Sequence, residues 1–175
     1  MDYLTQFVIP FRGLKTGLHT FDWEIENKFF EHFEYSEIKT GHISIHAEME
    51  KDEKMLVFHF MLNGIVLLPC DRCLEPLEQK INGNETLIIK FGDRYYEENE
   101  ELQIIPEGET HIDVSPFIYE YCHLLLPFRR VHPDDENGVS LCNPEVLRKL
   151  EEKPSSAGPD PRWEGLKNLD KDQKD

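Results

Sequence analysis

The chain has 175 residues and a mass of 20.7 kDa, which fits one domain, or one domain with a tail, and leaves too little for two. Hydrophobic residues make up 39%, about 45% with the ten Gly, enough for an ordinary globular core. Lys and Arg number 19 against 35 Asp and Glu, a formal charge of −16, which excludes a molecule-wide nucleic-acid surface because such surfaces neutralise phosphate with basic side chains.

Any RNA contact is therefore expected to be local or indirect. No apolar run reaches the roughly 18 residues of a spanning helix, so no membrane partner is expected. Met1-Asp-Tyr-Leu4 lacks the basic start and apolar run of a secretory signal. A soluble, cytoplasmic protein is expected. Four cysteines are too sparse for a disulfide scaffold and agree with a reducing compartment, where they stay thiols or ligate a metal.

In chain order, Thr20 to Ile25 alternates with Phe21, Trp23 and Ile25 on one face, a half-buried strand. Phe29, Phe30 and Phe33 have helical spacing after Asn27, and the polar stretch from Ser36 ends that short helix. Ile43, Ile45, Ala47 and Met49 mark a second alternating strand. Met55 to Leu62 is almost continuously apolar, and the run resumes at Ile65 after Asn63-Gly64. That dipeptide is a strong hairpin signal, with one long strand bulged at Gly64 as the alternative. Leu87, Ile89 and Phe91 predict a further strand over 86–91.

Residues 93–113 hold eight acids and one base and predict a solvated loop. Asp113 or Ser115 can then cap a helix with Pro116 in its first turn. Ile118, Tyr121, Cys122 and Leu125 fall on one face of it, and Pro127 ends it. Asn143-Pro144 opens a second short helix with Val146, Leu147 and Leu150. Asp160-Pro161 opens a third with Trp163, Leu166 and Leu169, beyond a Pro/Ser/Gly linker at 154–159. Strands first and helices later imply an α+β fold: a curved antiparallel sheet or partly open barrel covered by one main helix, with short C-terminal helices. A single domain over 1–153 is expected, followed by linker, terminal helix and polar tail over 154–175.

Three features carry chemistry. Cys70-Asp-Arg-Cys73 puts two thiols at chelating spacing, but a closed zinc site takes four ligands, for which Cys142 and His132 are the remaining candidates. The same spacing also serves redox dithiols, or two reduced cysteines at a strand end. Cys122 reads as core. Arg72 between the two thiols is either a cation facing a partner or the ion-pair partner of Asp71 or Glu75. Asp160-Pro-Arg-Trp163 is a strong helix start whose Arg162 and Trp163 either dock on the domain's own core or anchor a partner. Arg129-Arg130 either meets an acidic or phosphate surface or complements the preceding helix end.

The eight His show no metal-ligand spacing among themselves. His42 and His46 share a strand face about 13 Å apart, too far to chelate together. There is no phosphate loop, nucleophile elbow or His-Glu-x-x-His, so an enzyme is not expected.

Leu68-Pro-Cys-Asp-Arg-Cys-Leu74 resembles the Cys-x-Arg-Cys-Leu signature of the YceD-like family, bacterial and plastid proteins implicated in accumulation of large-subunit ribosomal RNA. Asp160-Pro-Arg-Trp163 with Leu166 and Leu169 is similar to that family's ending, and Ile112-Asp-Val114 before the helix closing in Leu-x-Leu-Pro127 resembles its middle. Many members carry further cysteines before the last motif, whereas this chain has His132-Pro-Asp-Asp-Glu-Asn-Gly138 and Cys142. Cys70, Cys73 and Cys142 meet only if the two motifs pack together.

The resemblance implies a non-enzymatic factor in large-subunit biogenesis that binds a ribosomal protein or precursor particle. Arg72, Arg162 and Trp163, and the carboxylates of Glu97, Glu98, Glu100 and Glu101, are its candidate partner contacts. The alternative is a small zinc-binding RNA module whose Cys70-Asp-Arg-Cys73 turn presents Arg72 to phosphate.

Overall fold

The computed structural model describes residues 3–99 and 102–152. The chain falls into two compact units, residues 1–131 and residues 132–175. The expected linker at 154–159 and the helix from Asp160 lie outside the described residues.

In the first unit, a short 3-10 turn (Tyr3–Phe7) leads to β1 (Val8–Ile9), followed by β2 (Gly17–Glu26), the one-turn helix α1 (Asn27–Phe30), β3 (Thr40–Lys51), β4 (Met55–Pro69) and β5 (Pro76–Gly92). Then come β6 (Tyr96–Asn99), β7 (Leu102–Pro106), β8 (Ile112–Asp113) and the helix α2 (Ser115–Leu124). The main sheet has the order β2-β3-β4-β5-β7-β6, and β1 pairs with β8 in a separate two-stranded sheet. The α+β class holds, but the expected antiparallel sheet or barrel is corrected to an open, mixed sheet. β5 and β7 run parallel, and β2 and β6 are unjoined edges. Leu102, Ile104 and Ile105 draw the segment read as an acidic loop back beside β5, pairing with Ile88, Lys90 and Phe91.

Asn63-Gly64 does not turn. Ladder pairing runs unbroken through β4 on both sides, with Gly64 opposite Ile43 and Ile81, so neither the hairpin nor a bulge forms. The reason is close approach. A Cβ at Gly64 would lie 2.2 Å from the His42 carbonyl oxygen and 2.6 Å from the Ile43 Cα, so glycine serves here to let two strands near each other.

The period-two rule explains how a nearly all-apolar β4 buries only half of itself. Leu56, Phe58, Phe60, Leu62, Val66 and Leu68 face the core, and Met61, Ile65 and Leu67 face outward. Facing residues from β3 (Ile43, Ile45, Ala47, Met49) and β5 (Leu77, Ile81, Leu87, Ile89) complete one wall of the core. Ile118, Tyr121 and Cys122 of α2 belong to the same buried cluster, with the Tyr121 ring 5.5 Å from that of Phe60.

α2 begins where expected, after Asp113, whose carboxylate accepts from the Ser115 N–H at 2.9 Å, and with Pro116 in its first turn. Sequence reading missed the role of the N-terminus. Phe7 and Phe11 are fully buried, Phe7 against Phe29 and Trp23, a contribution signalled only by the i, i+4 spacing of Tyr3, Phe7 and Phe11.

In the second unit, an antiparallel bridge joins Asp134 and Ser140, and α3 (Pro144–Glu151) follows. Asn143 caps α3, accepting from the N–H groups of Glu145 at 2.9 Å and Val146 at 3.4 Å, as its Asn-Pro start predicts. Among the described residues, no helix is long and apolar enough to cross a membrane.

Candidate functional site

Pro69 pairs with Pro76, so the Cys70-Asp-Arg-Cys73 motif is the connection of the β4–β5 hairpin. Proline on both flanks gives up donors the ladder would otherwise use, and the chain leaves extended geometry at once. The Cys70 N–H donates to the Glu75 carbonyl at 2.9 Å, and the Leu74 N–H donates to the Cys70 carbonyl at 2.9 Å. Leu74 carries φ 63°, in the left-handed region where any residue with a Cβ is disfavoured. The Arg72 N–H points at Cys70 Sγ at 3.4 Å. Both Cys70 and Cys73 are buried.

The same turn is fastened to a distant part of its unit. The Asp71 N–H donates to the Arg130 carbonyl at 2.7 Å, and the Arg130 N–H donates to Asp71 Oδ2 at 2.6 Å. The Arg130 guanidinium grips Glu37 with two bonds, 2.8 and 3.1 Å. That bidentate pairing raises the guanidinium pKa and lowers that of Glu37. Arg130 is therefore engaged inside the protein, and of the expected basic pair Arg129 is the one exposed.

In the second unit, the Leu141 N–H donates to the Pro133 carbonyl at 3.0 Å, and the Asp135 carboxylate accepts from the N–H groups of Asn137 and Val139, at 2.9 and 2.8 Å. This loop closes His132 and Cys142 toward each other across the Asp134–Ser140 bridge. Cys142 is buried and His132 half-buried.

Cys122, expected in the core, is there. Burial pushes its thiol up to about 12, so it stays protonated.

Of the other expected partner contacts, Glu97 and Glu98 lie on β6. Glu100, Glu101, Arg162 and Trp163 lie outside the described residues.

An acidic surface, not read from the sequence, lies on the outward face of β2 and β3. Register places Asp22 opposite His46 and Glu26 opposite His42. Asp22 Oδ1 lies 2.6 Å from His46 Nδ1, and Glu24 Oε2 lies 3.2 Å from His42 Nε2. The Asp22 hydrogen bond raises the His46 pKa. Asp22, Glu24 and His46 border a shallow hollow of about 300 Å³, shared with Met61, Asn63, Asn82 and Asn84. The signal was present in the sequence, because outward positions of alternating strands can be listed from it, but which strand lies beside which cannot.

The model of the family described as large ribosomal RNA subunit accumulation protein YceD matches residues 58–170, from mid-β4 past the end of the described residues. No match is found among the curated proteins or the solved structures. The match takes in the Cys70–Cys73 turn, α2, the His132–Cys142 loop and α3. By that match, over well more than half of its length, this chain belongs to the YceD family of large ribosomal RNA subunit accumulation proteins.

Proposed function

We propose that this protein is a non-enzymatic, cytoplasmic factor in biogenesis of the large ribosomal subunit, and that it binds a basic ribosomal protein or a precursor particle. The observation that carries this reading is the combination of family membership with a charge of −16. A strongly acidic surface repels free RNA and attracts the proteins that RNA will later bind. It masks their charge until the RNA site is ready, and opposite potentials speed the encounter. An acidic stretch of sequence and an acidic surface support it: the run holding Glu97, Glu98, Glu100 and Glu101, and the exposed Asp22, Glu24 and Glu26 of β2.

The test is sedimentation of tagged protein in a lysate gradient, with precursor large-subunit RNA probed in each fraction. Co-migration with immature large subunits, lost at high salt, is expected. Protein that stays at the top of the gradient in gentle salt overturns stable particle binding.

A second reading rests on the Cys70–Cys73 turn. Here Arg72, held by its own N–H bond to Cys70 Sγ, meets an RNA phosphate directly. Arg72→Ala would then weaken particle binding while Gln at Glu97, Glu98, Glu100 and Glu101 leaves it unchanged, the reverse of the first reading.

A further inference from the structure

We infer that the outward face of β2, β3 and β4 is a docking surface for one basic, amphipathic α-helix of a protein partner. The surface takes that partner to be the basic ribosomal protein proposed above, and so rests on that reading. Strand register lays three columns of side chains next to each other here. β2 carries the exposed Asp22, Glu24 and Glu26. β3 places Ser44 between His42 and His46. β4 presents Met61, Ile65 and Leu67, which are 41%, 45% and 39% exposed. Asp22, His46 and Met61 form one cross-strand row, and Glu26, His42 and Ile65 form another, so the acidic and apolar columns run level. The opposite face of these strands is the core side, where Tyr121 of α2 meets Phe60.

Neighbouring strands lie about 4.8 Å apart, which puts the acidic column of β2 about 10 Å from the apolar column of β4, the width of one α-helix. A helix lying along β3 sets its apolar stripe on Met61, Ile65 and Leu67 and its Lys or Arg flank over Asp22, Glu24 and Glu26. The hollow of about 300 Å³ bordered by Asp22, Met61 and Asn84 takes one projecting side chain. Lys80 stands opposite Ile65 on β5 and repels a basic flank on that side, which fixes the way round the helix lies.

Charge decides the occupant. The outward positions of β2 and β3 add Glu48 and Glu50 to the three acids of β2 and hold neither Lys nor Arg. That field repels RNA phosphate, anionic lipid and a second copy of the same face. Exposed apolar side chains inside a polar rim are the mark of a protein contact, and the acids select a basic one. The chain's own residues 153–175 hold five basic and five acidic side chains, so they carry no excess of positive charge to match the face.

The experiment uses the full chain and a synthetic helical peptide of about 18 residues, with leucine at i, i+3, i+4 and i+7 and lysine along one flank, beside a scrambled peptide of the same composition. NMR titration with the helical peptide should shift the methyl signals of Met61, Ile65 and Leu67. Met61→Ser with Ile65→Ser should weaken binding about tenfold or more, as loss of interface anchors does. Asp22→Asn with Glu24→Gln and Glu26→Gln should weaken it comparably and also flatten its salt dependence. A cooperative denaturation transition shows that each variant is folded.

Methyl signals that do not move, equal binding of the scrambled peptide, or full affinity in either folded variant overturns the surface. So does a chain that pairs with itself, or with a single-stranded RNA oligonucleotide, through the same methyl groups. The lysate gradient separates this surface from the reading it rests on. Wild-type protein that fails to co-migrate with particles overturns the proposed function, while the peptide titration still reads the face. Wild type and both variants that co-migrate alike overturn the face as the particle's contact and leave the proposed function standing.

Discussion

Gly64 shows what one missing side chain does for a sheet. Its neighbours on β3 come so near that any Cβ would strike the His42 carbonyl oxygen. Gly64→Val should therefore push β3 and β4 apart and cost about 1–3 kcal/mol or more, the usual range for overpacking, measured as a lowered denaturation midpoint. Gly83 on β5 makes a milder case. The atoms its Cβ would meet are the far end of the Leu125 side chain, which can turn aside, so Gly83→Ala should cost less.

His46 offers a titration at the same scale. Its hydrogen bond to Asp22 holds its pKa above the ordinary value, so the protonated form is favoured in the folded state. The stability it adds is fully present below the unfolded pKa, near 6.5, and is lost as pH rises through the folded value. An NMR titration of the His46 ring should show a raised midpoint that falls back in Asp22→Asn. An unchanged midpoint in that variant would show that the bond does not form in solution.

At the scale of elements, α2 is held by residues rather than by propensity. Tyr121 meets Phe60, and Ile118 and Cys122 are fully buried. Phe60→Ala should cost about 3–5 kcal/mol in chemical denaturation, as truncation of a buried aromatic does. α3 is different in kind, since it buries no residue fully and depends on its start. Asn143→Ala removes the side chain that accepts from two N–H groups and should cost about 1 kcal/mol, read as fraying of residues 144–151 by hydrogen exchange with little change elsewhere. Both helix starts were legible, because Asn or Asp shortly before a proline and a 3.6-residue apolar period are local signals, although the cap residue of α2 is Val114 and not the expected Asp113 or Ser115. β7 was not. Its Ile104 and Ile105 lie within an acidic stretch whose charge pattern outweighed a five-residue apolar signal, and the parallel partner that stabilises it, β5, is supplied by the fold.

For the whole molecule, charge sets the expectation. With −16 distributed over the chain, association with a basic partner should weaken steeply as salt rises. Replacing Glu97, Glu98, Glu100 and Glu101 with Gln removes four of those charges and should both lower affinity for the particle and flatten its salt dependence. Equal affinity and equal salt slope would exclude that stretch as the contact.

By itself the sequence determined the α+β class, the inward faces of β2, β3 and β5, the starts of α2 and α3, and the family, since each rests on residue type and short-range spacing. Tertiary structure alone decided the rest. It made the sheet open and mixed, because strand order depends on which apolar faces meet. It turned Asn63-Gly64 from a turn signal into a mid-strand contact, because that use of glycine depends on a neighbour 21 residues upstream, Ile43. It gave Arg130 to Glu37 and Asp71, and it set His132 and Cys142 at the two ends of one closed loop, since hydrogen bonds between residues far apart in sequence leave no periodic trace in it.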